Sequence, residues 1–238
     1  MTTNPNTLPD ILKGTQIRPV FGSGAIDRLG LLAQELGAKR VLIVTDPGIV
    51  AAGHANRAEQ SLHDAGIQTL IFDAVEENPT THHVAAGTEA AREFHTDFLV
   101  GIGGGSAMDC TKGVNFIYTN GGEMRAYWGV NKAAHSMLPM IAVPTTAGTG
   151  SEAQSFALIT NPDTHQKMAC GDKKAACRIA ILDPDLTRTV PRPVAAATGI
   201  DAVAHAIETA ACTQRNQDSR ALSREAWTRL DRAFETAY

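Results

Sequence analysis

Several things are missing from this chain, and each absence excludes a class. The longest apolar runs, such as residues 98–102 and 179–182, are far too short to cross a bilayer as helix, which takes about 20 residues. There is no Lys/Arg block, and 21 basic against 25 acidic residues leave a formal net charge of −4, which argues against a nucleic-acid surface. The opening, Met1-Thr-Thr-Asn-Pro-Asn6, has neither a basic region nor an apolar signal core, so export is not expected. The four cysteines, Cys110, Cys170, Cys177 and Cys212, show no C-x-x-C spacing; that speaks against a zinc knuckle or disulfide framework and suits a reducing cytoplasm. No internal repeat or low-complexity tract breaks the pattern. What is left is a soluble, cytoplasmic, globular protein. Its 238 residues, 43% hydrophobic and 19% charged, are ample for a core.

Short β-rich runs alternate with helical patterns. Strands are expected at 16–20, 41–45, 69–72, 98–102, 140–143, 156–159 and 179–182, and helices at 25–36, 49–65, 81–95 and 107–118. Such alternation predicts β-α-β units and a parallel sheet with helices on its faces. The run Val41-Leu-Ile-Val-Thr45 is apolar on both faces, as a central parallel strand should be. After Asp183 the pattern is only helical, at 194–212 and 218–237. A boundary is therefore placed near 189–193, giving an α/β domain over 1–191 and the start of an all-helical domain over 192–238. Leu222, Ala226, Leu230 and Phe234 trace an apolar stripe at helical spacing, and no glycine cap or polar tail follows it. The expectation is a chain cut from a longer protein, with a stripe that invites self-association.

Two loops follow strands. The first is Gly103-Gly-Gly-Ser-Ala-Met-Asp109, leading into a helix. Consecutive glycines let the backbone turn tightly and approach a ligand, and the free N–H groups of the helix start favour an anion, typically phosphate. Ser106 is placed to cap that helix. The spacing departs from G-x-G-x-x-G, and the acid at the end of an early strand, Asp46, precedes the glycines instead of following them. Asp46 suits a ribose hydroxyl or, equally, the cap of the helix near Gly48. The second loop, Pro144-Thr-Thr-Ala-Gly-Thr-Gly-Ser-Glu152, crowds hydroxyls at the carboxyl end of a strand, where a crevice ligand is gripped. Lys167 adds a cation beyond the next strand; by default it is a solvated side chain.

A third segment, Thr198-Gly-Ile-Asp-Ala-Val-Ala-His-Ala-Ile-Glu208, sets Asp201 four residues ahead of His205 on one helical face. The apolar neighbours Ile200, Val203, Ala204 and Ile207 predict at least partial burial. A divalent metal or a plain Asp–His hydrogen bond would each account for the pair.

Taken together and in order, these three segments resemble the iron-containing alcohol dehydrogenase family (group III). The resemblance runs from about Phe21 to near the chain end. It implies a dehydroquinate-synthase-like, dinucleotide-binding α/β domain followed by an all-helical domain, incomplete here. It also implies hydride transfer between a small alcohol, aldehyde or ketone and NAD, with NADP as the alternative. By matching positions, Asp46 holds the adenosine ribose, and Gly104, Gly105 and Ser106 cradle the pyrophosphate with Asp109 at the start of the helix. Thr145, Thr146, Phe156, Lys167 and Leu186 contact the cofactor, and Asp201 and His205 ligate Fe2+ or Zn2+, through which they serve catalysis. The family carries two further histidine ligands downstream that nothing here supplies. His54, His63, His82, His83, His95, His135 and His165 match no ligand position and read as surface or structural. Two rivals stay open: a glycerol-dehydrogenase-like enzyme on a related fold, and a non-catalytic NAD-binding fragment.

Overall fold

The computed structural model describes residues 17–237; Gln16, where the first strand was expected to begin, lies outside them. Sixteen helices and strands follow in order: β1 (Arg18–Phe21), α1 (Leu29–Glu35), β2 (Arg40–Val44), α2 (Pro47–Ala51), α3 (His54–Asp64), β3 (Gln68–Phe72), α4 (Thr81–Glu93), β4 (Phe98–Gly103), α5 (Gly105–Asn120), β5 (Gly129–Val130), β6 (Met140–Pro144), β7 (Phe156–Thr160), β8 (Lys167–Gly171), β9 (Ile179–Leu182), α6 (Arg192–Ala211) and α7 (Gln217–Ala237). Short 3-10 turns join several of them.

Six strands form a parallel sheet in the order β1-β9-β6-β4-β2-β3. Side chains alternate across it and feed two cores. Leu42, Val44, Leu99, Met140 and Ala142 pack with α4 and α5 residues such as Val84, Val114 and Phe116. Val41, Ile43, Phe98, Val100, Ile102, Ile141 and Val143 pack with Leu29, Leu32, Ala58 and Leu62 of α1 and α3. A sheet covered on both faces needs strands apolar on both faces, which is why the run at 41–45 carries no alternation.

The helix expected at 49–65 is two helices. Gly53, at φ 81°, ends α2 and starts α3, a left-handed conformation that glycine adopts without a Cβ penalty. The strand at 156–159 leaves the main sheet: β7 pairs antiparallel with β8, and β5 joins β8 to make a second, three-stranded sheet. Asn161 Oδ1 accepts from the amides of Asp163 and Thr164, building the turn between β7 and β8.

Because the main strands are parallel, the carboxyl ends of β2, β4 and β6 emerge side by side on one edge, with β4 in the middle. That edge carries both loops.

Candidate functional site

The glycine loop leaves β4 with Gly103 at φ 145°, where a Cβ would sit 2.8 Å from Ala107 Cβ and 3.2 Å from Asp46 Oδ2. Glycine is required here by backbone angle and by space. Helix α5 then starts at Gly105, with Gly104 as its N-cap and no capping side chain. A sixteen-residue helix thus presents its first amides uncapped, the arrangement that receives an anion. Ser106 does not cap, contrary to expectation: it lies inside the first turn, and its Oγ accepts from the Asn78 amide at 3.2 Å. Asn78, at φ 54°, also accepts from Lys167 Nζ through Oδ1 at 2.7 Å. One asparagine therefore brings Ser106 and Lys167 to the same place.

Asp46 divides its oxygens. Oδ1 caps α2 by accepting from the Ile49 amide at 3.1 Å, while Oδ2 faces the Gly103 turn. Both readings of Asp46 are physically compatible, one per oxygen.

The threonine loop leans against the glycine loop. Thr145 N donates to the Gly103 carbonyl at 2.9 Å, Thr146 is 3.4 Å from where a Gly104 Cβ would stand, and Thr149 and Ser151 close over Gly105 at 3.2 and 3.3 Å by the same measure. The buried hydroxyls of Thr45 and Thr146 have no hydrogen-bond partner among the described residues. Unpartnered hydroxyls beside an uncapped helix start and a side-chain-free glycine wall fit a phosphate-bearing dinucleotide, whose oxygens supply what these groups lack.

Two expected contacts sit differently. Leu186 is fully buried in the core beside Ile26, Leu29 and Ile181, so its side chain offers nothing to a ligand. Phe156 is partly exposed at the start of β7, its ring lying across Gly171, where a Cβ would come within 2.3 Å of it.

Beneath the loops lies a charged cluster that sequence reasoning missed in part. Lys112 is fully buried in α5, and its ammonium donates to the carbonyls of Ser151 at 2.7 Å and Phe156 at 3.0 Å. Asp109, one turn earlier and only 6% exposed, has its carboxyl pushed up to about 6 by burial, partly opposed by the positive charge of Lys112. Burial likewise lowers Lys112 and raises Glu152. Ser151 Oγ reaches Asp109 Oδ1 at 3.4 Å. The clue to Lys112 was its setting: α5 is apolar or small nearly all round, which marks a buried helix.

Asp201 and His205 do lie on one face of α6, 3.6 Å apart, too far for a hydrogen bond. Their side chains are 43% and 50% exposed and Val203 and Ala204 are partly covered, so the partial burial expected is found there, while Ile200 and Ile207 are exposed. The reason is that α6 packs mainly on α7, with Gly199 and Ala206 its buried residues. His205 Nδ1 bonds the Gly148 carbonyl at 3.0 Å, so Nδ1 carries a hydrogen and Nε2 is turned to the Asp201 side. Gly148, at φ 154°, is pressed against α6: a Cβ there would lie 1.8 Å from the Thr198 carbonyl oxygen. Among the described residues no group of three or more His, Cys, Asp or Glu stands close enough to share an ion. A catalytic metal takes about three protein ligands. Two donors do not close a site.

The sequence matches the model of the family described as iron-containing alcohol dehydrogenase over residues 17–184. The chain belongs to the iron-containing alcohol dehydrogenase family. Alcohol dehydrogenase 4 of Schizosaccharomyces pombe is 40% identical over 197 residues, covering 83% of this chain and 47% of the relative. The NAD-dependent methanol dehydrogenase of Bacillus methanolicus is 38% identical, covering 79% of this chain and 50% of its own length. Among solved structures, a 1,3-propanediol oxidoreductase superposes with a TM-score of 0.84 at 35% identity, over 87% of this chain and 54% of that one. An iron-containing alcohol dehydrogenase from Thermotoga maritima gives 0.86 at 29%, over 94% and 61%. The chain of this iron-containing alcohol dehydrogenase family member spans about half the length of the curated relatives it matches. Among the described residues no helix is long and apolar enough to cross a membrane.

Proposed function

We propose that this chain carries the coenzyme-binding half of an NAD(H)-dependent oxidoreductase that, as a whole protein, interconverts a small alcohol with its aldehyde or ketone. The observation that carries the reading is the cradle at the carboxyl ends of β4 and β6: an uncapped α5 start, a glycine wall and the unpartnered hydroxyl of Thr146. When bound, the nicotinamide supplies the hydride acceptor or donor. The chain's own residues hold and orient it. Amides of Gly105 and Ser106 and the α5 dipole receive the pyrophosphate, and Thr145 and Thr146 line its other side. Asp46 Oδ2 accepts from the adenosine ribose, and its charge repels the 2′-phosphate that would mark NADP, which favours NAD. Lys167, held by Asn78, adds a positive charge near Ser106.

The same reading gives Asp201 and His205 as two ligands of a divalent ion, iron or zinc, with Gly148 fixing the imidazole tautomer. They do not complete a site, and no chemical step is assigned to it. The boundary near residue 191, a reducing cytoplasmic setting and self-association through α6 and α7 belong to this proposal too; all four cysteines are free.

The open two-donor arm favours one second reading, a dinucleotide-binding chain without turnover. Calorimetry with NADH and NADPH, elemental analysis for iron and zinc, and assays with primary alcohols against glycerol separate the outcomes. The proposal expects NADH binding tighter than NADPH. Binding with no metal and no turnover supports the second reading, and absence of NADH binding removes both.

A further inference from the structure

A lysine with no exposed surface is costly to bury, because its ammonium gives up water. Lys112 is in that position. Its compensation is local: two short donations to main-chain carbonyls, at 2.7 Å to Ser151 and 3.0 Å to Phe156, and the negative charge of Asp109 one turn back on the same helix. The two carbonyls bracket the segment 151–156, which joins the threonine loop to β7. The loop itself closes over Gly105 through Thr149 and Ser151, and Ser151 Oγ touches Asp109. So α5 contributes its amino terminus to the cradle and, two turns on, a cation that fastens the opposite wall to the same helix. Helix and loop are otherwise joined at this point by small side chains, which pack but fix little.

We propose that Lys112 is the positioning residue of the cradle: its ammonium sets the distance between the α5 amides and the threonine loop, and so the fit of the dinucleotide pyrophosphate. This rests on the coenzyme reading above, which the comparisons do not assign to Lys112. The ammonium is part of the design, since an apolar side chain of equal length leaves the buried Ser151 carbonyl and the part-buried Phe156 carbonyl without this donor and Asp109 without its counter-charge.

The test is K112M, nearly equal in volume, with D109N beside it should K112M fail to fold, because D109N weakens the same clamp while keeping its shape. Hydrogen exchange is measured on the intact chain without coenzyme, and NADH and adenosine affinities are measured by titration. We expect the amides of residues 145–156 to lose protection while those of β2 and β4 keep theirs. NADH binding should weaken about tenfold, the size of one charge-assisted hydrogen bond, with adenosine unchanged because it has no phosphate and occupies the Asp46 side alone. D109N should show the same pattern at smaller size. Unchanged exchange at 145–156 overturns the inference, and so does parallel weakening of NADH and adenosine, which would mean general loosening. Wild-type chain that binds neither ligand overturns the coenzyme reading instead, and exchange still decides the role of Lys112.

Discussion

Helices α5 and α6 invite comparison. The first, sixteen residues long, buries eleven of them; the second, four residues longer, buries Gly199 and Ala206. Helix α5 has sheet, α4 and β7 around it, and its buried Thr111, Lys112 and Asn115 side chains bond to neighbouring carbonyls, leaving its first amides uncapped. Helix α6 has α7 on one side and, at Gly148, a close approach to the α/β body; Ile200 and Ile207 face solvent, and an open groove of about 660 Å3 runs between α6 and α7. The cradle proposed for the dinucleotide is therefore preorganised by this chain's own core, whereas the Asp201–His205 arm is presented without being enclosed. Preorganised groups bind without an ordering cost; an open arm needs further contacts before it holds an ion firmly.

The largest effect expected from this contrast is in the sheet. Phe98→Ala removes a fully buried ring from β4 and should cost about 3–5 kcal/mol in urea unfolding; a cost under about 1 kcal/mol would put the core elsewhere. Next comes pH. Asp109 is raised from 3.8 to about 6, so between those values the native state holds a proton that the unfolded chain has released. Its stabilising contribution is full below 3.8 and is lost as pH rises through about 6, up to about 3 kcal/mol in all. Wild-type stability measured against D109N should fall across that window, and a flat difference would show that Asp109 is solvated. His54 slopes the opposite way. Burial lowers it, so the unfolded chain takes up its proton first and stability falls as pH drops below 6.5.

Gly148→Ala should detach the arm selectively. The new Cβ meets the Thr198 carbonyl and the backbone angle suits glycine alone, a strain of about 1–3 kcal/mol. Hydrogen exchange should then show α6 opening with β4 and β6 unchanged; loss of protection everywhere would erase the distinction between the two regions. The smallest effect is at Trp227, about half exposed on α7, where Ala should change unfolding stability by less than about 1 kcal/mol. A larger loss would mean that the groove it lines is already filled in solution.

Sequence reasoning reached the strands that are apolar on both faces, at 41–45, 98–102, 140–143 and 179–182, because double burial leaves a plain run of β-branched and aliphatic residues. It missed β8, Lys167-Met-Ala-Cys-Gly171, which has no β-branched residue and owes its strand form to pairing with β7. The break at Gly53 was hidden by good helical composition on both sides. The glycine and threonine loops were legible through composition after a strand, and their mutual packing was not, since it depends on β4 and β6 being neighbours. The partners of Lys112 were hidden for a similar reason: in one dimension a lysine reads as solvated, the helix around it hints only at burial, and the meeting of α5 with residues 151–156 is what places carbonyls around it. Partial burial around Asp201 was legible and the exposure of Ile200 and Ile207 was not, because apolar neighbours on a helix signal burial only when something covers them.

The strand order has a consequence for how this molecule comes into being. β1 sits at one edge and takes its hydrogen bonds from β9 alone, about 160 positions later in the chain. During synthesis that first strand must wait, unpaired, until residue 182 has cleared the ribosome. Meanwhile β2, β3 and β4 can already assemble among themselves. Closure of the sheet is thus a late event in the birth of the protein, and the interval before it is when an exposed edge is most open to capture by a chaperone or by another nascent chain.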